Sequence, residues 1–157
     1  MKREFKGVIK TNNSKKIKAK SHLNLLFFLL IVVGVTYLLV YKVSFLPNGY
    51  ELVSDQKDSI SIKSFNVLGI EEGRSTISFS EKDVWKINDI AYEVNRQKEF
   101  LWLLFSAVSI STYLLVSKLR KGMKFWKAIL ESNIVIAVLL PLYIIINSLN
   151  RIQNLIS

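Results

Sequence analysis

Three long apolar stretches dominate the pattern of this chain, at 23–43, 99–117 and 129–147. Each is close to the length of a helix that crosses roughly 30 Å of hydrocarbon at about 1.5 Å per residue. A segment in lipid has to satisfy its backbone hydrogen bonds internally, which helices do. The three stretches are therefore predicted to be transmembrane helices.

Residues 44–98, between the first two stretches, follow a different pattern. Polar and apolar residues alternate over 59–63 and 75–79, and this predicts two half-buried β-strands rich in Ile, Ser and Thr. A shorter strand is predicted at 50–53. We refer to 44–98 as the insert.

The insert has further local signals. Residues 71–74 include Gly73 and predict a hairpin turn, and the alternation slips at Ser64 and Phe65, which predicts a bulge. From Ser80 onward, apolar residues recur every three or four positions and predict a helix that runs into the second membrane stretch. The predicted fold class is membrane α-helical, with three transmembrane helices and a small α+β extracytoplasmic insert between helices 1 and 2.

The charges orient this arrangement. Residues 1–22 contain eight Lys or Arg residues and one acid, and the loop 118–128 is also basic, whereas 44–98 contains more acids than bases. Basic segments beside membrane helices stay on the cytoplasmic side. We therefore expect a multi-pass protein of the cell membrane with a cytoplasmic N-terminus and an extracytoplasmic insert. The tail 148–157 is predicted to lie outside as an amphipathic segment.

Composition narrows the possible chemistry. The net charge of +10 is concentrated beside apolar stretches, so it indicates membrane orientation and no nucleic-acid partner. The chain has no cysteine, and His22 is its sole histidine. It contains no glycine-rich phosphate loop, nucleophile elbow or HExxH motif. We expect no cofactor, no metal site and no enzymatic activity.

Five small residues are candidates for helix packing or partner contacts, because small and hydroxylated side chains let membrane helices approach closely. They are Gly34, Ser106, Ala107, Ser109 and Ser111.

Glu131 is a possible functional acid within the membrane. Ionisable groups there are costly, so those that are present often have a function. The alternative is an interfacial acid paired with Lys127, four residues earlier. Pro141 can kink the third helix or make it fold back. The ten acids in and next to the insert are interpreted as a solvated face.

These features predict a non-enzymatic accessory or interaction subunit of a bacterial membrane complex, with the insert binding a partner. The partners would be the lipid bilayer and a membrane protein or further copies of the chain. Immunity proteins against secreted toxins would have the same physical profile. A second hypothesis is an oligomeric transporter or pore component, built around Glu131 and the serine face of the second helix.

Overall fold

The computed structural model describes residues 23–56 and 58–157. Helix α1 (Leu23–Tyr41) begins in one compact unit, which ends at Gly34, and finishes in a second unit, Val35–Ser157, which holds the other described elements. The predicted basic segment 1–22, with His22, lies outside the described residues.

The described residues form four helices and three strands. After α1 come β1 (Tyr50–Asp55), β2 (Ser59–Phe65), β3 (Glu71–Ser78), α2 (Trp85–Arg120), α3 (Phe125–Ser132) and α4 (Ile134–Ile156). Helices α1, α2 and α4 are long and apolar enough to cross a membrane. The prediction of three long apolar helices, with a small sheet between the first two, is confirmed.

The three strands form an antiparallel sheet with β2 in the centre. The predicted irregularity at Ser64 and Phe65 is confirmed, because the register of β2 against β3 shifts there. The predicted turn at 71–74 is wrong, because these residues belong to β3. The turn is at 66–70 instead, where Gly69 has a φ of 72°. The Asn66 side chain accepts hydrogen bonds from two backbone amides of this turn, which is a common way for asparagine to stabilise a turn.

Helix α2 has 36 residues and is roughly 54 Å long, well beyond the thickness of a bilayer core. The helix predicted in the insert and the second membrane stretch are thus one continuous helix. It begins at Trp85, later than the sequence indicated. The Ser80 hydroxyl donates to the Asp83 carboxylate at 2.8 Å and leaves the helix end uncapped.

Helix α4 runs antiparallel to α2, and its last turns pack beside the sheet. Residues 148–156, interpreted from the sequence as an amphipathic tail, belong to this helix. Ile152 is fully buried, in a core between the sheet and the start of α2. The buried members of this core are Ile60, Ile62, Ile87, Ile90, Val94 and Ile152.

The third apolar stretch is divided between two helices. Asn133 has a left-handed backbone with a φ of 56°, and it separates α3 from α4. Asparagine tolerates this conformation better than most residues. Helix α4 continues through Pro141, so the structure has no fold-back at the proline.

Candidate functional site

The serine face of α2 is divided between buried and exposed positions. Ser106 and Ser111 are buried, Ala107 is half-buried and Ser109 is exposed. The Ser106 hydroxyl shares a 2.7 Å hydrogen bond with the buried Thr36 hydroxyl of α1. At Gly34, an added Cβ would meet no heavy atom within 4 Å among the described residues. Contact of these residues with a partner stays a prediction.

Glu131 lies at the end of α3, beside two lysines. Its carboxylate is 3.1 Å from the Lys118 ammonium and 3.8 Å from that of Lys127. Lys118 also donates to the Glu131 backbone carbonyl at 2.6 Å. The Glu131 side chain is 41% exposed. The acid is thus paired on both sides, and the predicted partner Lys127 is one of the two.

A polar cluster joins the sheet to the helices, and its first part is at Glu51 of β1. The Glu51 carboxylate accepts hydrogen bonds from the Lys98 ammonium at 2.8 Å and from the Ser44 hydroxyl at 2.6 Å. Burial alone would raise the pKa of Glu51, but the hydrogen bonds from Lys98 and Ser44 together hold this pKa below its ordinary value. This contact connects β1 to the middle of α2.

Gln97 lies one helical turn before Leu101 and is almost fully buried. Its side-chain oxygen accepts a 3.0 Å hydrogen bond from the Tyr50 amide at the start of β1. Gly49 packs directly against the Gln97 side chain, and a Cβ at this position would overlap it. The close approach requires glycine, and it fixes the start of the sheet on α2.

Glu93, one turn earlier on α2, has a side chain that is only 1% exposed. The guanidinium groups of Arg151 in α4 and Arg96 lie 3.5 and 3.6 Å from its carboxylate, too far for strong hydrogen bonds. Arg151 also donates to Asp89 at 2.8 Å. Neither Glu93 oxygen has a hydrogen-bond partner in the described structure, and the same holds for the Gln97 amide nitrogen and the Ser148 hydroxyl. A buried carboxylate without hydrogen bonds is costly.

We call Glu51, Glu93, Gln97, Lys98 and Arg151 the junction cluster. A pocket of about 330 Å³ lies beside it, between the base of the sheet and α4. Amide, hydroxyl and carboxyl groups dominate its polar lining, and none of the described residues that line it is Lys or Arg. The polar lining residues are Asn48, Tyr50, Ser64, Glu72, Asn150 and Gln153.

Sequence reasoning missed this cluster. The interpretation of the acids as a solvated face is wrong for Glu93, which is buried. A signal was present, because Glu93 follows the core residue Ile90 by three positions and precedes Gln97 by four, so all three share one helical face. The sequence does not show that α4 covers this face with Arg151.

The pocket beside the junction cluster is lined by both polar and apolar groups. The pocket lining combines hydrogen-bond donors and acceptors with the apolar Phe65, Ile146 and Leu149. Within 23–56 and 58–157, no group of three or more potential metal ligands comes together. The chain matches no known protein family, no curated protein and no solved structure. The structure itself defines the class of protein. It is a mainly α-helical protein with three helices long and apolar enough to cross a membrane, and with a three-stranded sheet between the first two.

Proposed function

We propose that this protein is a small, non-enzymatic integral membrane protein, an interaction subunit of a bacterial membrane complex. Helices α1, α2 and α4 cross the cell membrane, and the insert binds a partner on the extracytoplasmic side. The observation that carries the proposal is the polar pocket beside the junction cluster, at the base of a sheet that is hydrogen-bonded to α2 and shares a buried core with Ile152 of α4.

The charge distribution supports the proposed orientation. The loop between α2 and α3 is at the opposite end of α2 from the sheet, and it contains Lys121 and Lys124. Lys118 and Lys127 lie in the adjoining helix ends. Positive charges of this kind favour the cytoplasmic side. The sheet and the end of α4 would then both be extracytoplasmic.

The junction cluster supports binding by a preformed surface. Contacts at Glu51, Gln97 and Arg151 tie β1 and α4 to the same three turns of α2. Groups that are already held in place lose little conformational entropy when a partner binds. The partner we expect is a protein segment that fills the pocket with an apolar side chain and donates hydrogen bonds to its amide and carboxylate oxygens.

The test is site-specific photocrosslinking in native membranes. A photoreactive amino acid at Gln153, in the pocket, should give one crosslinked product of defined mass, and the same probe at Thr76, on the exposed outer half of β3, should not. Asn150→Trp, which fills the pocket, should abolish the product at 153 while the protein level is maintained. The proposal is overturned if probes at 48, 150 and 153 give no product, or if Asn150→Trp leaves the product unchanged.

The structure gives less support to a transporter or pore. Its candidate acid, Glu131, is paired with Lys118 and Lys127, so it is not an isolated charge aimed into a membrane pathway. Ion flux into proteoliposomes of the pure protein would revive this hypothesis if Glu131→Gln abolished the flux.

A further inference from the structure

The turn between β2 and β3, residues 66–70, presents apolar side chains where hairpin turns are usually polar. Val67 and Leu68 are each 69% exposed, and Ile70 is 60% exposed. Three large apolar groups on five consecutive residues form a continuous patch. We call this segment the apolar turn.

Hydrogen bonds to Asn66 fix the conformation of the apolar turn. The Asn66 side chain accepts hydrogen bonds from the amides of Leu68 and Ile70, at 2.9 and 3.1 Å. The Asn66 carbonyl accepts from the Asn48 amide at 2.9 Å and so ties the turn to the segment that leads out of α1. Because the amides of Leu68, Gly69 and Ile70 all donate to Asn66, the turn can leave water at a lower cost in unsatisfied hydrogen bonds than an open loop.

The depth of the apolar turn follows from its neighbours. Phe65, just before it, is buried with Leu101 of α2 and Ile145 of α4. Inside the turn, a Cβ on Gly69 would contact the ring of Phe45, and that ring lies 5.9 Å from the ring of Phe105.

Aromatic residues mark the same level on the helices. The Trp102 ring packs edge-on against the Tyr37 ring of α1, with centroids 6.0 Å apart, and Tyr37 stacks on Tyr41 at 4.6 Å. Such groups favour the boundary between hydrocarbon and head groups. Phe105 is about one helical turn beyond Trp102, toward the middle of the apolar part of α2. The apolar turn, which reaches Phe105 through Phe45, is therefore level with the aromatic boundary.

The charges that follow the turn are compatible with this depth. Glu71 lies 2.9 Å from the Lys63 ammonium and 3.7 Å from the Arg74 guanidinium. This group of one acid and two basic residues sits where β3 leaves the turn, at the height expected for lipid head groups.

We infer that the apolar turn inserts Val67, Leu68 and Ile70 into the outer leaflet of the bilayer, so that the sheet is held to lipid as well as to α2 and α4. The occupant of the patch is lipid, because the patch is level with lipid-facing surfaces of the proposed spans. The inference rests on the proposed membrane insertion of the three helices. Its consequence is that the binding pocket lies directly at the membrane surface.

The absence of native cysteine allows a direct measurement of depth. Single cysteines at Leu68, Leu103 and Val53 are labelled with an environment-sensitive fluorophore, and the protein is placed in nanodiscs of pure phosphatidylcholine. Leu103 is an exposed residue in the apolar part of α2. Val53 is an exposed apolar residue of β1, roughly 12 Å from the turn along the sheet. Lipids with a nitroxide near the top of the acyl chain act as quenchers.

We expect quenching at Leu68 to be close to that at Leu103 and at least about two-fold stronger than at Val53. Replacing Val67 and Ile70 by Ser should lower quenching at Leu68 and leave that at Leu103 unchanged. Strong quenching at Leu103 with none at Leu68 overturns the inference while the membrane spans remain supported. This result would assign the patch to a protein partner or a second copy. Absence of quenching at both positions overturns membrane insertion itself.

Discussion

The contact between Gly49 and Gln97 gives the sharpest test of how the insert is attached. In Gly49→Ala, the new Cβ would overlap the amide nitrogen of Gln97 and lie 3.0 Å from the Leu46 Cβ. Both neighbours are fully buried, so a shift of either side chain has to displace packed groups. The Gln97 amide would have to shift away from the Tyr50 backbone, to which it is hydrogen-bonded at 3.0 Å.

Two costs add in this variant. Overfilling a packed site costs about 1–3 kcal/mol. The Tyr50 N–H would lose its acceptor once the Gln97 side chain moves, and a polar group left without its partner costs about 1–3 kcal/mol. We expect the free energy of opening of the insert to fall by about 3 kcal/mol.

Hydrogen exchange of the β1 and β2 amides measures this opening directly, because it reports local stability. Gly73→Ala is the matched control: its Cβ would meet only the Ser64 hydroxyl, at an ordinary 3.5 Å, and we expect a change within about 0.5 kcal/mol. Combining Gly49→Ala with Gln97→Ala should cost less than the sum of the single changes, because the clash is removed. Equal exchange in Gly49→Ala and Gly73→Ala would refute the reasoning.

Three further predictions test the cluster and the turn. Glu93→Leu should maintain or raise the thermal stability, because it removes a buried carboxylate without hydrogen bonds. Glu93→Ala should cost about 2 kcal/mol, because it leaves a cavity. Equal losses of stability in both variants would show that the carboxylate itself is stabilising. The lowered pKa of Glu51 makes its contribution full above the unfolded-state pKa of about 4.3 and lost as pH falls through the folded value. Melting between pH 6 and 3 should therefore fall less steeply in Glu51→Gln than in the wild type, and parallel curves would contradict this. Gly69→Ala should lower the stability of the insert by about 1–2 kcal/mol, because alanine disfavours a φ of 72°. The new Cβ would also contact the ring of Phe45. Unchanged hydrogen exchange at β2 and β3 would count against this prediction.

Periodicity predicted much of the fold because the forces behind it are local. The alternation over 59–63 places Ile60 and Ile62 on one face, and both are buried in the core under the sheet. The slip at Ser64 and Phe65 indicated the bulge for the same reason. Length and apolar composition were sufficient to predict α1 and the apolar part of α2.

Two other features do not follow from the local pattern. The turn was misplaced because Val67, Leu68 and Ile70 resemble strand residues, and Glu71, Glu72 and Gly73 resemble a turn. The inferred contact with lipid would explain why this turn is apolar. The spacing of Leu149 and Ile152 predicts an amphipathic tail, but it does not show that the segment continues α4 and that Ile152 is fully buried against α2 and the sheet.

Glu93 is the position where stability can be tested separately from the proposed partner binding. Its carboxylate faces Arg151 and Arg96 at distances that give attraction but no good hydrogen bond, so packing alone does not account for an acid there. A leucine would extend the apolar face formed by Ile90 and Val94. If Glu93→Leu melts at a higher temperature but loses the crosslink from position 153, then the charge serves partner binding through the placement of Arg151 on α4. If Glu93→Leu retains both the melting temperature and the crosslink, partner binding does not require the buried acid. Recognition of the partner then depends on the amide and hydroxyl groups that line the pocket.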